Sequence, residues 1–191
     1  MKRIKQILCF SMLSFAVHLQ AHQFIPMGIE QLSDHADVIV HGTVIKKTTQ
    51  KDEKNQIYTL IEIKIIDVWK GTVEGHNFKL VQAGGTLGNR RVMVTGQSNY
   101  QLGSEVVSFL VINQRGEGVT LGLLQGKFDI WTDAVSRTRL AANPFHGNTA
   151  SKNGRSILQK TNPSRFSFEL PDGSLTLEEL KDRAVGSEVE K

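Results

Sequence analysis

A glycine-rich run followed by two arginines has the clearest capacity for binding chemistry in this 191-residue chain. The run reads Gly84-Gly85-Thr86-Leu87-Gly88-Asn89-Arg90-Arg91. Glycines let successive backbone N–H groups converge on an anion, and paired guanidinium groups can hold a phosphate or a carboxylate. A nucleotide-binding loop would end in Gly-Lys and lead into a helix, whereas a strand is predicted here. The run is interpreted as a binding loop or, preferably, as a hairpin whose glycines supply positive φ angles.

Lys127 starts a later predicted strand, in the segment Gln125-Gly126-Lys127-Phe128. In a compact barrel this strand would lie beside the glycine-rich run, so Lys127 would face the same ligand as Arg91. The favoured alternative is that Phe128 and its neighbours form the core while Lys127 points to water. The candidate ligand-binding residues are Gly84, Gly85, Arg90, Arg91 and Lys127, and the expected partner is a protein or a small anionic ligand.

The remaining titratable residues are weaker candidates. His22, the first residue after the predicted leader, offers an imidazole and a free amine to a transition metal, but no second histidine lies at ligand spacing. Polar residues at a helix-to-strand junction and beside a tryptophan are interpreted as solvent-exposed: Asp34, His35, Asp37, Asp129 and Asp133. We therefore predict no metal site and no cofactor.

The common catalytic motifs do not occur in the sequence. There is no Gly-x-Ser-x-Gly, no His-Glu-x-x-His and no Cys-His pair. Ser98 lacks the final glycine of a nucleophile elbow. Because no nucleophile, base or metal set emerges, we do not expect an enzyme.

Residues 1–21 have the features of a secretory signal peptide. Three basic residues precede a mostly apolar run of about 13 residues, and Ala21 ends the segment with a small side chain. This run is too short to span a bilayer, which takes roughly 20 residues. The only cysteine, Cys9, lies in the leader, so the mature chain has no disulfide and depends on its hydrophobic core. We expect a periplasmic or secreted protein.

The formal net charge of +4 includes three basic residues of the leader, Lys2, Arg3 and Lys5. Without them the 23 basic residues become 20 against 19 acidic residues, so the mature chain is nearly neutral. Such a balance gives no electrostatic reason to expect nucleic acid as a partner. With 39% hydrophobic and 22% charged residues, the chain can form a packed core. Once processed, it is not expected to be an integral membrane protein.

Alternating apolar residues predict a mainly β protein. The clearest element covers residues 57–69 and is rich in β-branched and aromatic residues. At about 3.3 Å per residue it would reach roughly 43 Å, so it must bend, as strands of a small closed barrel do. Further strands are predicted at 38–48, 78–81, 106–112, 119–123 and 127–131. This spacing suits a barrel or a sandwich, and the long strand favours a closed barrel of five to six strands.

Short helices are predicted on both sides of the barrel. Residues 29–36 place their apolar side chains on one side, and residues 175–185 start with a capping box of Thr176 and Glu179. The segment between barrel and second helix is polar and without periodicity, which is typical of a mobile loop. The expected organisation is a signal peptide (1–21), a β-barrel domain (22–136), a flexible loop (137–165) and a C-terminal strand and helix segment (166–191).

Several segments resemble the netrin-like module, whose best-known members are the tissue inhibitors of metalloproteinases. The similar residues are Ala36-Asp37-Val38-Ile39-Val40 with Gly42 and Val44, then Val68-Trp69-Lys70-Gly71, Phe78 with Leu80, and Gly103-Ser104-Glu105-Val106-Val107. The resemblance implies a closed five-stranded barrel of the oligonucleotide/oligosaccharide-binding (OB) type with flanking helices. The chain is also similar to small exported bacterial proteins of unassigned function. The inhibitors chelate zinc through an N-terminal cysteine that this chain lacks, so the resemblance carries over no inhibitory residue.

These observations predict an exported, non-catalytic binding or interaction module of the cell envelope or the extracellular space. Its candidate surface is formed by residues 84–96 with Lys127. Two alternatives stay open. One is a metalloprotease inhibitor acting through the mature N-terminus at His22. The other is a hydrolase of an envelope substrate, which would bring acidic or basic side chains together in one pocket.

Overall fold

The computed structural model describes residues 25–147 and 174–186. Within these ranges the chain forms two short helices and ten strands. In chain order they are α1 (Ile29–His35), β1 (Val38–Lys51), β2 (Ile57–Lys70), β3 (Asn77–Ala83), β4 (Gly85–Leu87), β5 (Arg90–Val92), β6 (Glu105–Ile112), β7 (Gly118–Thr120), β8 (Lys127–Thr132), β9 (Arg139–Ala142), β10 (Leu175–Thr176) and α2 (Leu177–Gly186).

Five strands close into a barrel in the order β1-β2-β3-β7-β6, and β6 pairs with β1 to complete it. The pairing of β3 with β7 is parallel, through Leu80 and Gly118, and the other barrel pairs are antiparallel. Three further strands, β8, β9 and β10, extend the sheet from β6. A mainly β chain with a closed five-stranded barrel is compatible with an OB-like fold, and it confirms the predicted fold class.

The two longest strands, β1 and β2, have 14 residues each and pair over most of their length. The register of this pair shifts between Ile39 and Val40, between His41 and Gly42, and again just after Val44. Such irregularities bend and twist a strand. They let β1 pair with β2 along one edge and with β6 along the other, which is how the barrel closes.

The first half of β1 and most of β6 are buried on both faces, because each strand lies between two cores. Val40 of β1 and Leu110 of β6 point into the barrel interior, which also contains Ile61, Ile63, Phe78, Leu80 and Tyr100. Ile39 of β1 and Phe109 of β6 point the other way, into a second core beneath the helices that contains Leu32, Phe128 and Leu180. Without its helices, the sheet would expose this second face.

Helix α2 is fixed to the barrel and to α1 by polar contacts as well as by Leu180 and Ala184. The hydroxyl of Thr176 accepts a hydrogen bond from Glu179 N at 3.0 Å, which is one half of the predicted capping box. The buried hydroxyl of Ser33 on α1 donates to the carbonyl of Ala184. Both predicted helices are therefore present, with bounds close to those expected.

One predicted boundary is wrong. The segment 137–165 was expected to be a mobile loop, but Arg139–Ala142 forms strand β9, which pairs with β8 on one edge and with β10 on the other. Leu140, Ala141 and Ala142 are buried, so packing outweighs the polar composition of the surrounding sequence. The predicted signal peptide and residues 148–165 of this loop lie outside the described residues. No helix in the described ranges has the length and apolar character needed to cross a membrane.

Candidate functional site

The glycine-rich run folds as a hairpin, in which β4 and β5 pair antiparallel with Leu87 opposite Arg90. Gly88 and Asn89 form its two-residue turn. Gly88 has a φ angle of 56°, as the first central position of a type II′ turn requires. The hairpin interpretation is thus confirmed.

The two glycines at the base of the hairpin have steric roles. A Cβ atom added to Gly85 would lie 2.4 Å from Oγ1 of Thr59 and 2.7 Å from Cγ2 of Thr49, so only glycine lets β4 approach the β1–β2 ribbon. At Gly84 the backbone N donates to Ile57 O at 2.8 Å, and the carbonyl accepts a hydrogen bond from Thr59 Oγ1 at 2.8 Å. These contacts hold β4 on the barrel and leave β5 on the outside.

The outer strand of the hairpin is exposed on both of its faces. Every residue from Gly88 to Thr95 is exposed to solvent, including Val92 (38%), Met93 (75%) and Val94 (39%). Neither the Arg90 nor the Arg91 side chain makes a hydrogen bond or ion pair with another described residue. We call the segment from Arg90 to Val94 the hairpin surface.

Lys127 does not take part in the hairpin surface. Its side chain is only 6% exposed, and its ammonium donates to the carbonyl of Asn99 at 2.8 Å and to Asp129 Oδ1 at 2.7 Å. The ammonium also lies 5.6 Å from the ring centroid of Tyr100. The expectation that Lys127 points to water is therefore wrong, and its charge is neutralised inside the protein.

A surface groove of about 640 Å³ lies between the β1–β2 ribbon, β9 and the start of α2. The residues lining it that could do chemistry are His41, Asp67, Trp69, Arg139, Glu178 and Lys181. They come from four elements that are far apart in the sequence. The groove was not among the sequence-based candidates.

His41 is the buried polar residue at this groove, with 4% of its surface exposed. Its Nε2 lies 2.6 Å from Glu105 Oε1, and the guanidinium of Arg139 donates to the same carboxylate oxygen. Burial, with a smaller contribution from the positive charge of Arg139, lowers the pKa of His41 to about 4. The imidazole is thus neutral at pH 7, and its Nε2–H donates to Glu105.

The second charged pair of the groove is Asp67 with Lys181. Lys181 Nζ lies 2.7 Å from Asp67 Oδ2, and Trp69 Nε1 donates to the same oxygen at 3.1 Å. The hydrogen bond from Lys181 is the main reason why the pKa of Asp67 is lowered. Lys181 and Arg139 are therefore neutralised by Asp67 and by Glu105. Together the two pairs join α2 and β9 to the barrel.

The other sequence candidates have local structural roles. The side chains at the helix-to-strand junction (Asp34, His35 and Asp37) are exposed, as expected, and Asp37 Oδ2 accepts a hydrogen bond from Ile112 N at 2.8 Å. Asp129 and Asp133 are half-buried instead of exposed. Asp129 pairs with Lys127, and Asp133 caps a turn by accepting from Ser136 N at 2.8 Å. His22 lies outside the described residues.

The sequence offered one weak signal for the groove, a histidine within the apolar stretch of β1. Its partners Glu105 and Arg139 are 64 and 98 residues away, so only the closed barrel shows that they meet. Among residues 25–147 and 174–186, no three His, Cys, Asp or Glu side chains are placed to hold a metal ion. No protein-family model matches the chain, and no curated protein matches it either.

Proposed function

We propose that the protein is an exported, non-catalytic interaction module that binds its partner through the hairpin surface. The signal peptide predicted at residues 1–21 supports a periplasmic or secreted location. The closed barrel supports kinship with netrin-like modules, and OB-type barrels commonly bind through loops and open faces. The partner is an envelope or extracellular protein or a small anionic ligand.

The observation that carries this proposal is the contrast between the two candidate regions. In the groove, Arg139 and Lys181 are already neutralised by Glu105 and Asp67. On the hairpin surface, two arginines and three apolar side chains are exposed in one short stretch. Contiguous apolar exposure beside unpaired charge is typical of a binding surface.

Site-specific photo-crosslinking in the exporting cell tests this function. A photoreactive amino acid at Met93 should form a defined adduct with an envelope component. The same amino acid at Val135, which is 93% exposed but lies in the turn between β8 and β9, should not. The double variant R90E/R91E should reduce the Met93 adduct at least about tenfold. Equal adducts at both positions, or an adduct unaffected by charge reversal, would contradict the proposal.

An envelope hydrolase is the second candidate, because the groove residues His41 and Arg139 both contact the carboxylate of Glu105. In this function, His41 would act as a general base oriented by the carboxylate of Glu105. Two features rank it second. A histidine with a pKa of about 4 is a weak base at neutral pH, and the adjacent guanidinium opposes the imidazolium that catalysis would form.

Hydrolysis assays separate the two functions. Purified protein would be incubated with cell-wall fragments, esters and peptides, alongside the variant H41Q. Turnover that requires His41 would establish the hydrolase and displace the binding module as the main function. We expect no His41-dependent turnover on any of these substrates.

A further inference from the structure

We propose that the free edge of β5 accepts an extended acidic and apolar segment of the partner protein as an added β-strand. This inference rests on the proposed function, and it specifies the chemistry and the geometry of the contact. It follows from the pairing of the hairpin, the alternation of its side chains and its unpaired charges.

The pairing pattern determines which backbone groups face outward. In a two-residue hairpin the closing pair, here Leu87 and Arg90, exchanges both of its hydrogen bonds. The next pair, Thr86 with Arg91, is then a non-hydrogen-bonded pair. The N–H and C=O of Arg91 therefore point away from β4, and so do those of Met93 if the extended chain continues. No backbone hydrogen bond between described residues uses these groups.

The inner strand of the hairpin supports this edge. β4 is held to the barrel by the hydrogen bond from Gly84 N to Ile57 O at 2.8 Å and by the close approach of Gly85 to Thr59. β5 pairs with this anchored strand, so its outer edge is already ordered. This order reduces the entropy lost when a partner strand is added.

The side chains of β5 and the residues after it define what such a strand would contain. Within β5, Arg91 lies on one face of the ribbon, and Arg90 and Val92 lie on the other. If the extended chain continues beyond β5, Met93 joins Arg91 and Val94 joins Val92. Each face thus offers a guanidinium and one or two apolar groups. A partner strand with carboxylates and β-branched residues on both faces complements this pattern through cross-strand pairs.

The same arginines oppose pairing between two copies of this chain. If two β5 edges met antiparallel, Arg90 and Arg91 of one copy would lie close to those of the other, and like charges on neighbouring strands repel. The carboxylates of an acidic strand from a different protein would instead be attracted to these arginines. The charge pattern therefore favours an acidic partner over self-assembly.

Designed peptides test the inference on the mature full-length protein. The probe is a capped peptide of the repeat Glu-Glu-Val-Val, which places carboxylates and β-branched side chains on both faces of a strand. It is titrated up to about 1 mM while backbone amide NMR signals are followed. Binding should shift the amide signals of Arg91 and Met93. One control peptide replaces Glu with Lys, and a second carries N-methyl groups on alternate amides, which removes strand pairing but keeps the charge. Both controls should bind at least about tenfold more weakly.

Two variants sharpen the test. R90E/R91E should reverse the preference, so that the Lys peptide binds more tightly than the Glu peptide. M93P removes an outward N–H that M93A keeps, and both variants lose the methionine side chain. We expect M93P, and not M93A, to weaken the Glu peptide about tenfold.

The outcomes separate this inference from the proposed function. If the N-methylated peptide binds as well as its parent, or if M93P behaves like M93A, the contact is electrostatic only and strand addition is overturned. No binding at about 1 mM also overturns it. If the photo-crosslink at Met93 still forms in these cases, the proposed function stands, with the hairpin surface as the binding surface but without strand addition. Concentration-dependent dimers that the neutral variant R90Q/R91Q strengthens would identify a second copy as the occupant of the edge and would overturn the acidic partner.

Discussion

Nε2 of His41 lies 2.6 Å from Oε1 of Glu105, which joins β1 to β6 at the seam where the barrel closes. Arg139 of β9 donates to the same oxygen, so one carboxylate connects three strands. A buried, neutral histidine that donates to a carboxylate is well suited to a structural link. Because the pKa of His41 is lowered to about 4, the stability of the fold should depend on pH through this link.

Lowering the pH should destabilise the protein through His41. The pKa of His41 is about 4 in the folded protein and about 6.5 in the unfolded chain. Between these values the unfolded chain binds a proton that the folded protein does not, so stability falls as the pH decreases. We expect His41 to lower the free energy of unfolding by about 3 kcal/mol between pH 7 and pH 4.

Urea denaturation of the wild type and the variant H41Q at both pH values measures this contribution. The variant lacks the titrating group, so its free energy of unfolding should change less with pH. An identical pH dependence in the two proteins would show that His41 does not titrate in this range.

Replacing Lys127 should destabilise the fold, whereas replacing the hairpin arginines should not. Lys127→Ala leaves the half-buried Asp129 without this ion pair, and we expect a loss of about 3 kcal/mol. Arg90→Ala and Arg91→Ala alter exposed side chains, so their effect should stay within about 0.5 kcal/mol. Chemical denaturation of the three variants provides the comparison. A Lys127→Ala variant as stable as wild type would show that this pair contributes little.

Gly85→Ala should be much more damaging than Gly88→Ala. The added Cβ at Gly85 meets Thr59 Oγ1 at 2.4 Å, and we expect a loss of more than about 2 kcal/mol. At Gly88 nothing lies within 4 Å, so only the positive φ is unfavourable, which costs about 1 kcal/mol. Thermal unfolding of the two variants measures the difference. Equal losses would mean that the base of the hairpin moves to accommodate a methyl group.

The N-cap of α2 should contribute measurably to stability. Thr176→Ala removes the acceptor for Glu179 N and should cost about 1 kcal/mol. Thr176→Ser keeps a hydroxyl at the same place and should recover most of this loss. Urea denaturation of both variants is the measurement. If the serine variant were as unstable as the alanine variant, packing of the methyl group would explain the effect instead of capping.

Local signals in the sequence were sufficient for most of the fold. Alternating residues located β2, and continuous apolar runs located β1 and β6. The length of β2 indicated that the sheet must curve. The glycine-rich run predicted its hairpin, because the turn at Gly88 needs a positive φ whatever surrounds it. β9 was missed because it is short and lies in a polar segment, where burial of Leu140 overrides composition.

The sequence by itself determined the alternation of apolar residues, the turn chemistry and the helix cap, since each depends on residues only a few positions apart. The tertiary structure alone decided that Lys127 is buried against Asp129 and that Glu105 lies between His41 and Arg139. It also decided that β5 is left outside the barrel. The physical reason is that the burial and pairing of a charge depend on strands brought together when the barrel closes, and no short stretch of sequence encodes that closure.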